Sequence, residues 1–158
     1  MLEIAPASEA DVPVLLRFIR DLAVYEKLAN QVEATEEGLR RTLFGERRYA
    51  EALLARLDGT PVGFALYFHN YSTFMGKPGL YLEDLFVEPG HRGKGIGKAL
   101  LQRLAGIAVE RDCGRLEWAV LDWNAPAIAF YRSLGAAPMH DWTVFRLEGA
   151  ALQAMAAR

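Results

Sequence analysis

The stretch Arg92-Gly93-Lys94-Gly95-Ile96-Gly97 constrains this chain more than any other, because it follows the strand-like run Leu80-Tyr81-Leu82-Glu83-Asp84-Leu85-Phe86-Val87 and opens an amphipathic helix. Glycines let the backbone turn and approach a ligand closely. The free N–H groups of the loop and first helical turn can then converge on an anion that the helix dipole also favours. Arg92, Lys94 and Lys98 add cationic side chains. Ile96, Leu100, Leu101, Leu104, Ile107 and Ala108 recur at helical spacing and predict the helix behind the loop.

What the glycines fail to match narrows the ligand. A Walker loop needs G-x-x-x-x-G-K-[ST], but neither Gly93-Lys94 nor Gly97-Lys98 has a glycine five positions earlier, and no Ser or Thr follows either lysine. A dinucleotide fingerprint, G-x-G-x-x-G, would need its last glycine at Lys98 or Leu100. The pattern that remains is R-x-x-G-x-G.

A chain of 158 residues, 52% hydrophobic, can bury one good core, so a single domain over residues 1–158 is expected. A formal net charge of −2 gives no electrostatic footprint for nucleic acid. With Cys113 as the single cysteine there is no internal disulfide, and His69, His91 and His140 show no metal-ligand spacing. No metal and a reducing cytoplasm are therefore expected. Met1-Leu2-Glu3 lacks the basic region of a signal peptide, and the apolar run near Phe64 to Phe68 is too short to span a membrane.

Along the chain, Leu2 to Ile4 reads as a first strand, and Ser8 with Asp11 as a helix-entry signal. Val12, Leu15, Leu16, Ile19, Leu22 and Ala23 mark one helical face, and a second helix is expected from about Thr35 to Leu43. Ala50 to Leu57 and Val62 to Phe68 are strand-like and joined by the turn signal Asp58-Gly59. Later come a strand at Arg115 to Leu121, a helix from about Ala125 to Leu134 capped by Asn124 with Pro126 in its first turn, a last strand at Thr143 to Leu147, and a short closing helix from Ala150.

The loop Arg92 to Gly97 resembles the pyrophosphate loop of the GNAT acetyltransferase superfamily. Together with Leu22-Ala23-Val24-Tyr25-Glu26, Tyr81 to Val87, Trp123-Asn124-Ala125-Pro126 and Phe130-Tyr131, it resembles the diamine acetyltransferase branch, which includes spermidine/spermine and thialysine N-acetyltransferases. The resemblance runs from about Ile4 to Leu147. It implies a mixed α/β fold whose mostly antiparallel central sheet splays at the acetyl-CoA site, flanked by helices. It also implies a small primary amine as acceptor and a homodimer, for which Trp142-Thr143-Val144-Phe145 offers a strand suited to pairing with a second copy.

The residue roles follow from the same resemblance. Leu85, Phe86, Val87, Arg92, Gly93, Lys94, Gly95, Ile96, Gly97, Lys98, Asn124 and Pro126 match positions that hold acetyl-CoA. A primary alkylamine with a pKa of about 10.4 presents its free lone pair in roughly one molecule per thousand at neutral pH, a penalty of about 4 kcal/mol. Something must therefore take a proton, and Glu83 matches the branch's carboxylate near the amine. Neighbouring strand side chains point to opposite faces, so a central strand should bury Glu83 or Asp84. Tyr131 matches the acid that protonates the leaving thiolate; on its helix alone, core packing competes with that role.

Tyr25 and Glu26 match positions lining the amine pocket, where an anionic Glu26 would hold a distal ammonium. Ser72 stands where polyamine enzymes carry an acidic residue, and Ser72-Thr73-Phe74 looks closer to the thialysine type. His140 also replaces a carboxylate, with Asp141 beside it and Trp142 next. A lysine-like amine is thus as open as a polyamine. A protein acetyltransferase and a catalytically idle acyl-CoA-binding module remain the alternatives, the latter opposed by the presence of Glu83 and Tyr131.

Overall fold

A computed structural model describes residues 1–157. The described chain falls into two compact units, Met1–Ala119 and a second that starts at Val120.

The first unit holds a five-stranded sheet in the order β1 (Leu2–Pro6), β2 (Glu51–Leu57), β3 (Thr60–Ser72), β4 (Lys77–Val87) and β5 (Leu116–Trp118). Its pairs are antiparallel except β4 with β5, which is parallel, so the fold is mixed α/β as expected. Helix α1 (Val12–Tyr25) is entered through a capping box in which the Ser8 N–H donates to the Asp11 carboxylate at 2.8 Å. It buries Leu15, Phe18 and Leu22 against the sheet; Phe18 stacks on Phe64 at 5.9 Å and meets Phe86 at 5.7 Å. Removing a buried ring such as Phe18 would cost about 3–5 kcal/mol.

Thr35 caps α2 (Glu36–Leu43) by accepting from the Gly38 N–H at 3.0 Å. The Asp58-Gly59 turn has φ of 51° and 84°, the left-handed pair that a tight hairpin needs. Helix α3 (Ile96–Glu110) buries all six apolar positions that its periodicity named: Ile96, Leu100, Leu101, Leu104, Ile107 and Ala108.

Strand β4 departs from a regular ladder on both of its edges. On β3, Leu66 faces Asp84 while the next residue, Tyr67, faces Leu82, so Glu83 is the extra residue of a bulge. On the other edge, β5 pairs only with Leu80, Tyr81 and Leu82. From Glu83 to Val87, β4 runs on without β5, and this is the expected splay.

The second unit contains α4 (Ala125–Ser133) and α5 (Gly149–Ala156). The strand expected at 143–147 is absent, because no strand among the described residues hydrogen-bonds that segment; Trp142 and Phe145 are 80% and 93% exposed. The strand expected at 115–121 shrinks to Leu116–Trp118, the length over which β4 offers it partners.

Candidate active site

In the first unit, the end of α1, the β4 bulge and the glycine loop converge on a small set of charged and aromatic side chains. Arg92 joins them. Its Nε donates to the Val87 carbonyl at 2.9 Å, and its guanidinium lies 4.7 Å from the Tyr25 ring centroid and 5.7 Å from that of Phe86. The residue expected to supply charge to a phosphate thus also fixes the loop's start to β4 and α1.

Past Arg92, Gly93 and Gly95 have φ of 79° and 80°, the left-handed region that favours glycine. A Cβ added at either would meet nothing within 4 Å, so the outer side of the loop is open. Gly97 differs: its φ is ordinary, and an added Cβ would make only van der Waals contact with Val87 at 3.9 Å. The first bond closing onto α3 runs from the Ala99 N–H to the Gly95 carbonyl, which leaves the N–H groups of Ile96, Gly97 and Lys98 directed out of the first turn. Lys94 and Lys98 are exposed beside them. This cradle of open backbone donors and lysines fits a phosphate or pyrophosphate group.

Three carboxylates gather at the bulge. Glu83 is exposed, as an extra residue outside the pleat alternation can be, whereas Asp84 is half-buried on the sheet face that α1 covers. Burial first, and then the charges of Glu83 and Glu26, push the Asp84 carboxyl up to about 6. Glu26, which caps the C-terminus of α1, is also raised, by burial and then by Glu83. Lys27 follows it at φ 62°, a left-handed position usually taken by glycine. Such a cluster attracts a cation and can accept a proton near neutral pH. Alternation gives the expectation that one of the Glu83/Asp84 pair is buried, and resemblance chooses Glu83 as the functional one; the bulge and the approach of Glu26, neither visible in sequence, instead leave Glu83 exposed and Asp84 half-buried with the raised carboxyl.

Ser72 and Phe74 lie elsewhere. Ser72 pairs with Lys77 at the tip of the β3–β4 hairpin, six residues along β4 from Glu83, or about 20 Å. Its side chain is 5% exposed and its Oγ accepts the Met75 N–H at 3.2 Å, while Phe74 is fully exposed. In the second unit Asn124 is buried and caps α4, accepting from the Ala127 N–H at 3.3 Å, with Pro126 in the first turn. Tyr131 is half-buried, its ring 5.6 Å from that of Phe130; Asp141 and Trp142 are exposed.

Comparison with known proteins sets this geometry among relatives. A sequence model described as the acetyltransferase (GNAT) family matches residues 18–136. A thialysine N-epsilon-acetyltransferase from Bos taurus is 40% identical over 166 residues, covering 98% of this chain and 97% of the relative. An L-ornithine N5-acetyltransferase from Arabidopsis thaliana is 34% identical, covering 94% and 85%. Among solved structures, an integron cassette protein from the mobile metagenome of V. cholerae superposes with a TM-score of 0.83 at 29% identity, over 99% of this chain and 98% of that one.

Proposed function

The chain belongs to the GNAT acetyltransferase family, and from that premise we propose that it transfers the acetyl group of acetyl-CoA to a primary amine of a small molecule by direct attack on the thioester. The observation that carries this is the gathering of Glu26, Glu83 and Asp84 where β4 bulges and parts from β5, one short turn before the glycine loop. Acetyltransferases of this family use acetyl-CoA, which when bound supplies an activated acetyl thioester.

The loop residues Arg92 to Lys98 would hold its pyrophosphate. β5 leaves one edge of β4 free from Leu85 to Val87, along which Leu85, Phe86 and Val87 are assigned to the pantetheine side of the cofactor, and Asn124 and Pro126 are assigned to it by their match to the branch pattern. Glu83 is the proposed base that takes the ammonium proton, directly or through water. Asp84 and Glu26 raise the local negative charge that draws the cation in. Tyr131 is the proposed acid at the leaving sulfur, a role that rests on its match to the branch pattern. The family match at residues 18–136 passes through both units, which supports treating residues 1–158 as one functional domain.

For the acceptor we favour a lysine-like amine, with di- and polyamines next. The relatives named for thialysine and ornithine support this, as does the absence of a carboxylate at Ser72. Tyr25, Glu26, Asp141 and Trp142 are carried as pocket residues. Ser72 and Phe74 lie about 20 Å along the strand from Glu83, so within one copy they do not reach an amine held there; their place in a pocket requires the homodimer, which we propose on the branch resemblance. The test is acetyl-CoA consumption across thialysine, lysine, ornithine, polyamines, aminoglycosides and a lysine peptide. Turnover confined to the peptide would make this a protein acetyltransferase, and no turnover with retained CoA binding would make it an idle module.

A further inference from the structure

The sheet face that α1 covers continues beyond the end of that helix. Phe64 and Phe86 face each other beneath Phe18; next along the strands Leu66 faces Asp84, Phe68 faces Tyr81, and Asn70 faces Gly79. Alternation along β3 keeps Phe64, Leu66, Phe68 and Asn70 on this face. The bulge at Glu83 returns Tyr81 to it, and the Phe68 and Tyr81 rings lie 5.3 Å apart at 38°. On β5, Glu117 stands beside Tyr81, and the Asn70 Nδ2 donates to its carboxylate at 3.1 Å.

The surroundings of this ring pair are not those of a core. Both residues are half-buried. Glu26, Glu83 and Asp84 border the pair at one end, and beside Tyr81 stands Glu117, which pairs with Arg115 at 3.0 Å. Burial, then Glu83 and Glu117, push the Tyr81 phenol up, so its ring stays neutral with an electron-rich face. An apolar aromatic strip bordered by carboxylates matches a ligand with a hydrocarbon middle and a cationic end. From Asp84, opposite Leu66, to Tyr81, opposite Phe68, the strip runs about 7 Å along the sheet.

We propose that the Phe68–Tyr81 ring pair is the platform on which the methylene chain of the acceptor lies, its ammonium end toward Asp84, so that these residues select linear aliphatic amines by chain length. This rests on the amine-acetyltransferase function proposed above and names the part of its site that reads the acceptor. The rings touch the acceptor and take no part in proton transfer.

The experiment is kcat/KM for linear primary amines from propylamine to hexylamine, with KM for acetyl-CoA measured alongside. In the parent, kcat/KM should rise about two- to fourfold per added methylene. Phe68→Ala and Tyr81→Ala should flatten that rise to below about 1.5-fold per methylene, with KM for acetyl-CoA unchanged. If those proteins do not fold, Phe68→Leu and Tyr81→Leu keep a packed apolar side chain but remove the flat ring face, and the rise per methylene should drop to below about twofold with KM for acetyl-CoA unchanged. The same dependence on chain length in parent and ring variants would overturn the platform, as would an equal loss for every amine, which is what a purely structural role predicts. A parent that turns over amines without regard to length would remove the platform alone. One that acetylates no amine would remove the proposed activity with it.

Discussion

The guanidinium of Arg92 lies over the ring of Tyr25 at 4.7 Å while its Nε holds the Val87 carbonyl at 2.9 Å. One side chain thereby ties the first residue of the glycine loop to the last turn of α1 and the last residue of β4. Lysine keeps the charge but has neither the planar face nor the Nε donor. Arg92→Lys should raise KM for acetyl-CoA and for the amine together, by about three- to thirtyfold. Steady-state kinetics with each substrate varied would check this; an unchanged amine KM would separate Tyr25 from the acceptor side.

Gly93 and Gly95 provide a matched pair. Both are left-handed and both have open space where a Cβ would go, so alanine at either should cost about 1–2 kcal/mol of stability through backbone strain. Only Gly95 also starts α3, where the backbone would approach a pyrophosphate. Calorimetric titration with CoA should show Gly95→Ala losing tenfold or more in affinity relative to Gly93→Ala, at similar melting temperatures. Equal affinities would leave strain as the whole effect.

The raised carboxyl of Asp84 gives a stability profile with a definite sign. Between its ordinary 3.8 and about 6, the folded chain holds a proton that the unfolded chain has lost. Folded protein therefore binds more protons, and this group's contribution to stability falls as pH rises through that window. Asp84→Asn should remove the slope. Glu83→Gln should narrow the window from its upper end, since burial, the larger cause, remains. Urea unfolding at several pH values between about 4 and 7 would read both, and a slope unchanged in Asp84→Asn would place the titration elsewhere.

Roles in the reaction separate by kinetics. Tyr131→Phe should lower kcat by about 10²-fold with CoA affinity intact, the contribution of a positioned acid. Glu83→Gln should lower the rate and also move the acidic limb of the pH profile. Rapid-quench measurement of the chemical step would be decisive, because unchanged turnover in Tyr131→Phe returns that ring to its packing against Phe130.

Trp142 and Phe145 are exposed; if the proposed homodimer covers them, light scattering at micromolar concentration should give a dimer, and a monomer would overturn it. Ser72→Asp keeps an oxygen for the Met75 N–H and so should fold. If a second copy supplies this residue, the change should shift kcat/KM toward spermidine over thialysine by tenfold or more. A shift below about fivefold would mean the charge is solvated away from the amine.

What the sequence disclosed and what it hid divide along physical lines. The α3 apolar face, the start of α2 at Thr35, the Asn124 cap and the Asp58-Gly59 turn depend on residues within a few positions of one another, and each lies where the local sequence pattern put it. The bulge is a property of two strands at once, and neither β3 nor β4 alone announces it. Asp84 owes its raised carboxyl partly to Glu26, which comes from another element, and the Phe68–Tyr81 pair depends on the register of the hairpin. The aromatic and β-branched residues of Trp142 to Leu147 suit a strand, but a strand also needs a neighbour, and none pairs with it among the described residues.

Leu66 and Tyr67 are consecutive on β3, and Asp84 and Leu82 already stand opposite them. If Glu83 were deleted, those two partners would become consecutive as well, and the hairpin could close as an uninterrupted ladder with Phe86, Asp84 and Tyr81 keeping their present faces. Most single-residue deletions inside a central strand reverse every side chain beyond them. Here the shorter chain should fold as the parent does. The strand is one residue longer than its sheet requires, and the surplus residue is a carboxylate.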